Sequence, residues 1–309
     1  MGSFDRRRFL QLVTTSLASA ALPSVAFAAS SVPQLGLVVK VTKDGSPEAT
    51  IKHVHDLGFT QCQIFFEELS LSKAAPLQDA LKKYNVRVTA VSEHNPGPRI
   101  FDFDHGAETI GIVPPTYRRQ RIDALKLAAE FAHACTIPAI HTHLGFIPEE
   151  PGDPRYAVAI TAIKEVASHC KQNGVMLLCE TGEETPITML RMIQDVGEGN
   201  VFVNLDTANL ILYDKGNPVD AMDVFGKFVR GTHMKDGLFP TNPHDLGKEV
   251  AIGKGKVDFP ALIRKLKEAN YMGPFTIERE ISGPQQITDI MESKVYLQKL
   301  IDEIYGSGV

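Results

Sequence analysis

From Gln34 onward the chain alternates between short apolar runs and longer amphipathic stretches. Runs at 35–40, 61–65, 87–91, 139–142, 176–180, 201–206, 231–234 and 275–278 have the length and composition of buried strands. Helical periodicity occupies the intervals near 47–57, 74–84, 117–134, 156–173, 185–196, 218–229, 259–269 and 284–303. Ser46-Pro47 and Asp258-Phe259-Pro260 place a capping side chain just ahead of an early proline, as at helix starts. Strand and helix thus alternate eight times with no Pro/Gly/Ser-rich linker, which predicts an α/β fold, a single (β/α)8 TIM barrel. A doubly wound open sheet is the rival, but no GxGxxG follows the first strand, and Gly253-Lys254-Gly255 comes too late to replace it. Two connections are long, 93–116 and 235–258. Both follow strands and so belong to the face where barrel loops form walls and lids.

The first thirty residues break this pattern. Arg6, Arg7 and Arg8 precede an uncharged stretch from Phe9 to Ala28, Pro23 interrupts it, and Ala26-Phe27-Ala28 offers small residues for cleavage. The segment resembles a twin-arginine (Tat) export signal over residues 1–28, which predicts a mature barrel domain over 29–309 and a periplasmic or otherwise exported protein. Export of a folded chain would let its metal be loaded before it meets competing ions. The four cysteines (Cys62, Cys135, Cys170, Cys179) lack close pairing and read as buried thiols.

Composition narrows the function. With 32 basic and 37 acidic side chains among 309 residues the formal charge is −5. Loss of the signal would make it about −7. That balance argues against sequence-independent nucleic-acid binding, and beyond the N-terminus no long uncharged apolar run remains to span a membrane.

The chemistry lies at the ends of the last four strands. They finish in Glu180, Asp206, His233 and Glu278. In a closed barrel those ends converge on one mouth, where three carboxylates and an imidazole would repel and desolvate one another unless a cation sat between them. The oxygen-rich set predicts one divalent metal ion, manganese ahead of cobalt, magnesium or zinc. The metal would act as a Lewis acid on vicinal oxygens and stabilise an enediolate. Glu180 and Glu278 would stand on either side of the substrate carbon as the catalytic pair, one removing a proton alpha to a carbonyl and the other delivering one.

These residues also carry a resemblance. Glu180, Asp206 within Leu-Asp-Thr-Ala-Asn, His233 within His-Met-Lys-Asp, Gly-Lys-Gly-Lys-Val-Asp-Phe-Pro and Tyr-Met-Gly-Pro-Phe-Thr-Ile-Glu278 together look like the xylose-isomerase-like barrels. Within them the chain is most similar to the sugar phosphate isomerase/epimerase group, which includes ketose 3-epimerases. The resemblance covers residues 34–303 and implies metal ligation by Glu180, Asp206, His233 and Glu278, with Glu180 and Glu278 as acid and base. Ketose epimerases usually place a substrate-holding histidine three residues after the strand-six aspartate; here that position is Asn209.

Further substrate contacts are expected from His143, with His141 as its packed neighbour, from Glu93 and His94 closing strand three, and from Glu183 or Glu184. Phe65 and Phe66 are candidates for an apolar wall. Lys235 could steady a developing oxyanion, with Asp236 orienting it or His233.

The expected function is a metal-dependent isomerase or epimerase of a non-phosphorylated sugar or sugar derivative. A lyase or dehydratase acting on a 3-keto sugar or keto-glycoside would share the proton abstraction. A non-catalytic sugar-binding protein would keep its ligand after Glu180→Gln or Glu278→Gln. Expected partners are a small-molecule sugar and the Tat translocase, with no nucleic acid and no membrane after signal cleavage. Homo-oligomer formation is left open.

Overall fold

The computed structural model describes residues 32–93 and 95–306. The expected export signal therefore lies outside the described residues. Eight parallel strands close into a barrel, and the first seven are β1 (Leu35–Val41), β2 (Gln61–Phe66), β3 (Arg87–Glu93), β4 (Ala139–Thr142), β5 (Met176–Glu180), β6 (Val201–Asp206) and β7 (Val229–Met234). A small antiparallel hairpin follows, β8 (Asp236–Leu238) with β9 (Lys248–Val250), before β10 (Phe275–Ile277) completes the ring between β7 and β1. Closure is direct: Leu35 pairs with Phe275 on one side of β10, and His233 pairs with Thr276 on the other.

The helices return the chain from each strand end to the start of the next. They are α1 (Pro47–Asp56), α2 (Ala74–Tyr84), α3 (Gly106–Thr109), α4 (Arg118–Ala134), α5 (Pro154–Gln172), α6 (Pro186–Val196), α7 (Asn209–Leu212), α8 (Pro218–Phe225), α9 (Phe259–Glu268) and α10 (Pro284–Tyr305). Local chemistry starts them where the sequence suggests. Ser46, Asp153, Asn217 and Asp258 each accept a hydrogen bond from a first-turn backbone N–H, ahead of prolines that lose no hydrogen bond there. The main core lies between the barrel and this helical ring, where Leu77, Phe131, Phe225, Phe259 and Leu297 are completely buried. Among the described residues no helix is long and apolar enough to cross a membrane.

Three details differ from the periodicity. The helix expected over 218–229 stops at Phe225, and a 3-10 turn (Gly226–Phe228) leads into β7 two residues earlier than expected. The last strand stops at Ile277, although the Glu278 N–H still donates to the Met234 carbonyl at 3.1 Å and stays in line with the sheet. The hairpin inside 235–258 has strands of three residues, too short to leave a period-two signal.

The loop after β3 is fixed by a residue the sequence pattern did not single out. Arg121 of α4 is fully buried, and its guanidinium donates to the carbonyls of Pro96, Gly111 and Pro98 at 2.6–2.9 Å. Gly111 adopts φ +71°, and a Cβ there would come within 2.0 Å of the Leu144 backbone, so only glycine lets this loop lie against the end of β4. Cys62, Cys135, Cys170 and Cys179 are all buried and free; burial pushes the Cys62 and Cys170 thiols up to about 12, leaving them unreactive at neutral pH.

Candidate active site

Parallel register brings the four strand-end residues together. Asp206 is the register partner of His233, which is also paired across to β10 just before Glu278. Potential ligand atoms of Glu180, Asp206, His233 and Glu278 all lie within 4.8 Å of one another. His233 Nδ1 is 3.2 Å from Glu180 Oε1, 3.2 Å from Glu278 Oε2 and 3.9 Å from Asp206 Oδ2. One imidazole nitrogen therefore faces three carboxylates.

The other nitrogen is already engaged. His233 Nε2 lies 2.9 Å from Gln63 Oε1, and the Gln63 amide in turn donates to Asn204 Oδ1 at 2.9 Å. A carbonyl oxygen only accepts, so Nε2 carries a proton and Nδ1 is the nitrogen left for the carboxylate side. Asp206 is held from below: its Oδ1 accepts the N–H groups of Ala208 and Asn209, both at 2.8 Å, while its buried Oδ2 faces the Lys235 ammonium at 3.0 Å.

The electrostatics reflect the crowding of these acids around one imidazole. Burial opposes charge on His233, yet the Glu278 and Glu180 carboxylates outweigh it and hold the imidazole well above its ordinary value. Burial also opposes ionisation of Glu180 and Glu278. The imidazoles of His143 and His233 hold Glu180 well below the usual carboxylate range, and His233 with Lys235 does the same for Glu278. Asp206 goes the other way, pushed up to about 7 by burial despite Lys235, with Glu278 and Glu180 adding repulsion. The His233 imidazole and the Lys235 ammonium, both held in their charged forms, offset part of the carboxylate charge of the cluster. The donors are one nitrogen and several carboxylate oxygens, a set that could hold a divalent metal ion.

Lys235 is buried to 2% exposure, with Nζ 3.0 Å from Asp206 Oδ2, 3.1 Å from Glu278 Oε2 and 3.1 Å from Glu280 Oε2. It ties two of the cluster acids to a rim residue. Asn209 donates to Glu180 Oε1 at 3.2 Å, so it too reaches the cluster. His143 lies between two acids, with Nε2 3.2 Å from Glu180 Oε2 and Nδ1 2.7 Å from Glu183 Oε1; despite burial these carboxylates raise it to about 10.

His141 corrects the reading made from sequence. It is not a packing neighbour of the site but part of it: His141 Nε2 contacts Glu180 Oε2, and its ring lies 4.8 Å from that of His233. Strand alternation sends residues 141 and 143 to the same face, and at the end of β4 that face is the mouth of the barrel.

A cleft of about 1210 Å³ opens above the cluster. Its floor is made by His141, Glu180, His233 and Glu278, and its walls include His143, Phe65 and Phe101. Phe66 is instead fully buried, edge-on to Phe131 at 5.3 Å.

The family model for xylose isomerase-like TIM barrels matches residues 51–300. The chain belongs to the xylose isomerase-like TIM barrel family. A solved xylose isomerase domain protein from Planctomyces limnophilus is 30% identical, covers 88% of this chain and 99% of its own, and superposes with a TM-score of 0.82. L-ribulose 3-epimerase shares the fold at 15% identity and a TM-score of 0.68, over 88% and 95% of the two chains. A 3-keto-D-glucoside 4-epimerase from E. coli does so at 15% and 0.64, over 86% and 99%. An uncharacterised protein of Methanocaldococcus jannaschii is 23% identical over 200 residues, 60% of this chain and 64% of that relative's length.

In this family member the remaining sequence candidates separate. Glu184 is buried but does not line the cleft. Burial, with Glu183 and Glu149 nearby, holds its carboxyl well above the usual range. His94 lies outside the described residues. Asp236 orients neither Lys235 nor His233 through a hydrogen bond; its carboxylate accepts the N–H groups of Gly237, Gly253, Gly255 and Val257 at 2.8–3.1 Å. A Cβ on Gly255 would lie 2.1 Å from Asp236 Oδ1. The Gly-Lys-Gly segment is thus a nest for an internal carboxylate.

Proposed function

We propose that this chain is a metal-dependent isomerase or epimerase of a non-phosphorylated sugar or sugar derivative, exported to the periplasm by the Tat route. The observation that carries the reading is the convergence of a buried carboxylate, Glu180, and a partly buried one, Glu278, on the same nitrogen of His233 at 3.2 Å each, at the floor of the cleft. Sugar epimerases among the structures of the same fold support it.

Glu180, Asp206, His233 and Glu278 would hold one divalent ion, manganese first among the candidates. Bound there, the ion would supply Lewis-acid polarisation of a substrate carbonyl. Glu180, kept ionised by three imidazoles, takes the proton alpha to that carbonyl. Glu278, three strands further round the barrel, delivers one after first taking it up from solvent. Asn209 and His143 both touch Glu180 and fix its orientation toward substrate. Lys235 holds Glu278 and Asp206 in place and neutralises charge between them.

Expulsion of a group beta to the same carbanion would make the protein a lyase, a reading favoured by Asn209 standing where a ketose epimerase has histidine. Incubating the manganese-loaded protein with free keto sugars and 3-keto-glycosides in D₂O tests both. Deuterium incorporation without loss of a group supports the isomerase, and release of water or an aglycone supports the lyase. No exchange and no release from any of them, with metal bound, overturns proton abstraction at this site.

A further inference from the structure

The cleft is larger and less polar than a single sugar requires. Pockets of about 300–1000 Å³ accommodate drug-sized ligands, and a free hexose is much smaller than those. This cleft reaches about 1210 Å³. Its polarity is also divided. The floor carries the carboxylates and imidazoles, whereas Val39, Phe65, Phe101, Ile281 and Ile290 contribute apolar surface to the walls.

Phe101 is the most informative of these. It sits on the long loop after β3 and is 45% exposed, next to Ile100 at 41%. Its ring is edge-on to the His143 imidazole, with 5.7 Å between centroids, and His143 Nε2 is 3.2 Å from Glu180 Oε2. One imidazole therefore separates an open aromatic face from a carboxylate of the candidate metal cluster. The loop that presents Phe101 is held by the three hydrogen bonds of buried Arg121, so the ring is displayed on a fixed support.

We propose that the outer part of the cleft is a subsite for a flat, apolar substituent, and that the substrate is a keto-glycoside bearing an aromatic aglycone. The proposal rests on the sugar reading of the metal centre and adds the class of sugar derivative. The sugar oxygens occupy the floor beside Glu180 and Glu278, while the substituent lies against Phe101, with Ile281 as a further apolar contact. Covering exposed aromatic surface and forming ring–ring contacts favours such a ligand over the free sugar.

Calorimetric titration of the manganese-loaded protein with phenyl 3-ketoglucoside and with free 3-ketoglucose tests this directly. The phenyl compound is expected to bind about tenfold more tightly, a modest gain for covering one aromatic ring. Phe101→Ala should bring the two affinities within about threefold of each other. Ile281→Ser provides the same comparison should Phe101→Ala fail to fold. Equal affinities in the parent protein, no binding of the phenyl compound, or an equal loss for both ligands in the variants would overturn the subsite. Deuterium exchange into free 3-ketoglucose is read separately. Exchange without phenyl preference removes the subsite and keeps the isomerase reading, and phenyl preference without exchange does the reverse.

Discussion

Gln63 Oε1 sits 2.9 Å from His233 Nε2, and through this contact an uncharged residue of β2 decides which nitrogen of a β7 histidine faces the carboxylates. Replacing Gln63 with leucine removes the acceptor and frees the ring to adopt either tautomer. Loss of such an orienting partner typically costs about 10–100-fold in metal affinity. Manganese titration of Gln63→Leu should show a loss of that order with the fold unchanged by circular dichroism. Unchanged affinity would mean that the carboxylates alone orient the ring.

Glu184 makes stability depend on pH with a definite sign. In the unfolded chain its carboxyl titrates near its ordinary value of 4.5, whereas burial keeps it protonated well above that in the fold. As pH rises past 4.5 the unfolded state loses a proton that the folded state retains, so stability falls. Glu184→Gln cannot lose that proton. Urea denaturation of metal-free protein at pH 5 and pH 8 should therefore show the variant gaining stability relative to the parent as pH rises. A constant difference between the two proteins would contradict a neutral buried Glu184.

Asp236 organises the loop between β8 and α9 by accepting four backbone N–H groups. Hydrogen bonds to a charged group contribute about 1.5–3 kcal/mol each, and removing the acceptor strands the buried donors. Asp236→Ala should lose about 3 kcal/mol or more of stability. It should also raise hydrogen exchange first over residues 251–257. Protection in that segment equal to the parent's would show that the nest is held by other means.

The barrel was readable because each strand is a short apolar run and each return is an amphipathic helix. That alternation located all eight barrel strands, and the abrupt change from apolar to acidic or histidine side chains marked the mouth. Gln63 and Asn204 gave no comparable signal: uncharged amides inside strands look like ordinary polar interruptions, and their role depends on which strand lies across the barrel. Alternation along β2 could have found Gln63, since it shares a face with Gln61 and Phe65. His141 was misassigned because a histidine one residue inside a strand end resembles core, whereas in the four-residue β4 that position already faces the mouth. Arg121 and Asp236 act on loop backbone, and no periodicity records where a loop's carbonyls or N–H groups will point.

The central claim is that Glu180 and Glu278 serve opposite faces of one substrate carbon. It is tested most directly by solvent-deuterium wash-in with each of two epimeric substrates, using manganese-loaded Glu180→Gln and Glu278→Gln whose metal content has been measured. Each variant should lose wash-in by about 100-fold or more from one epimer, as expected for removal of a general base, and retain it from the other, with the two variants showing opposite preferences. Metal-bound variants that lose exchange equally from both epimers, or from neither, would contradict the account.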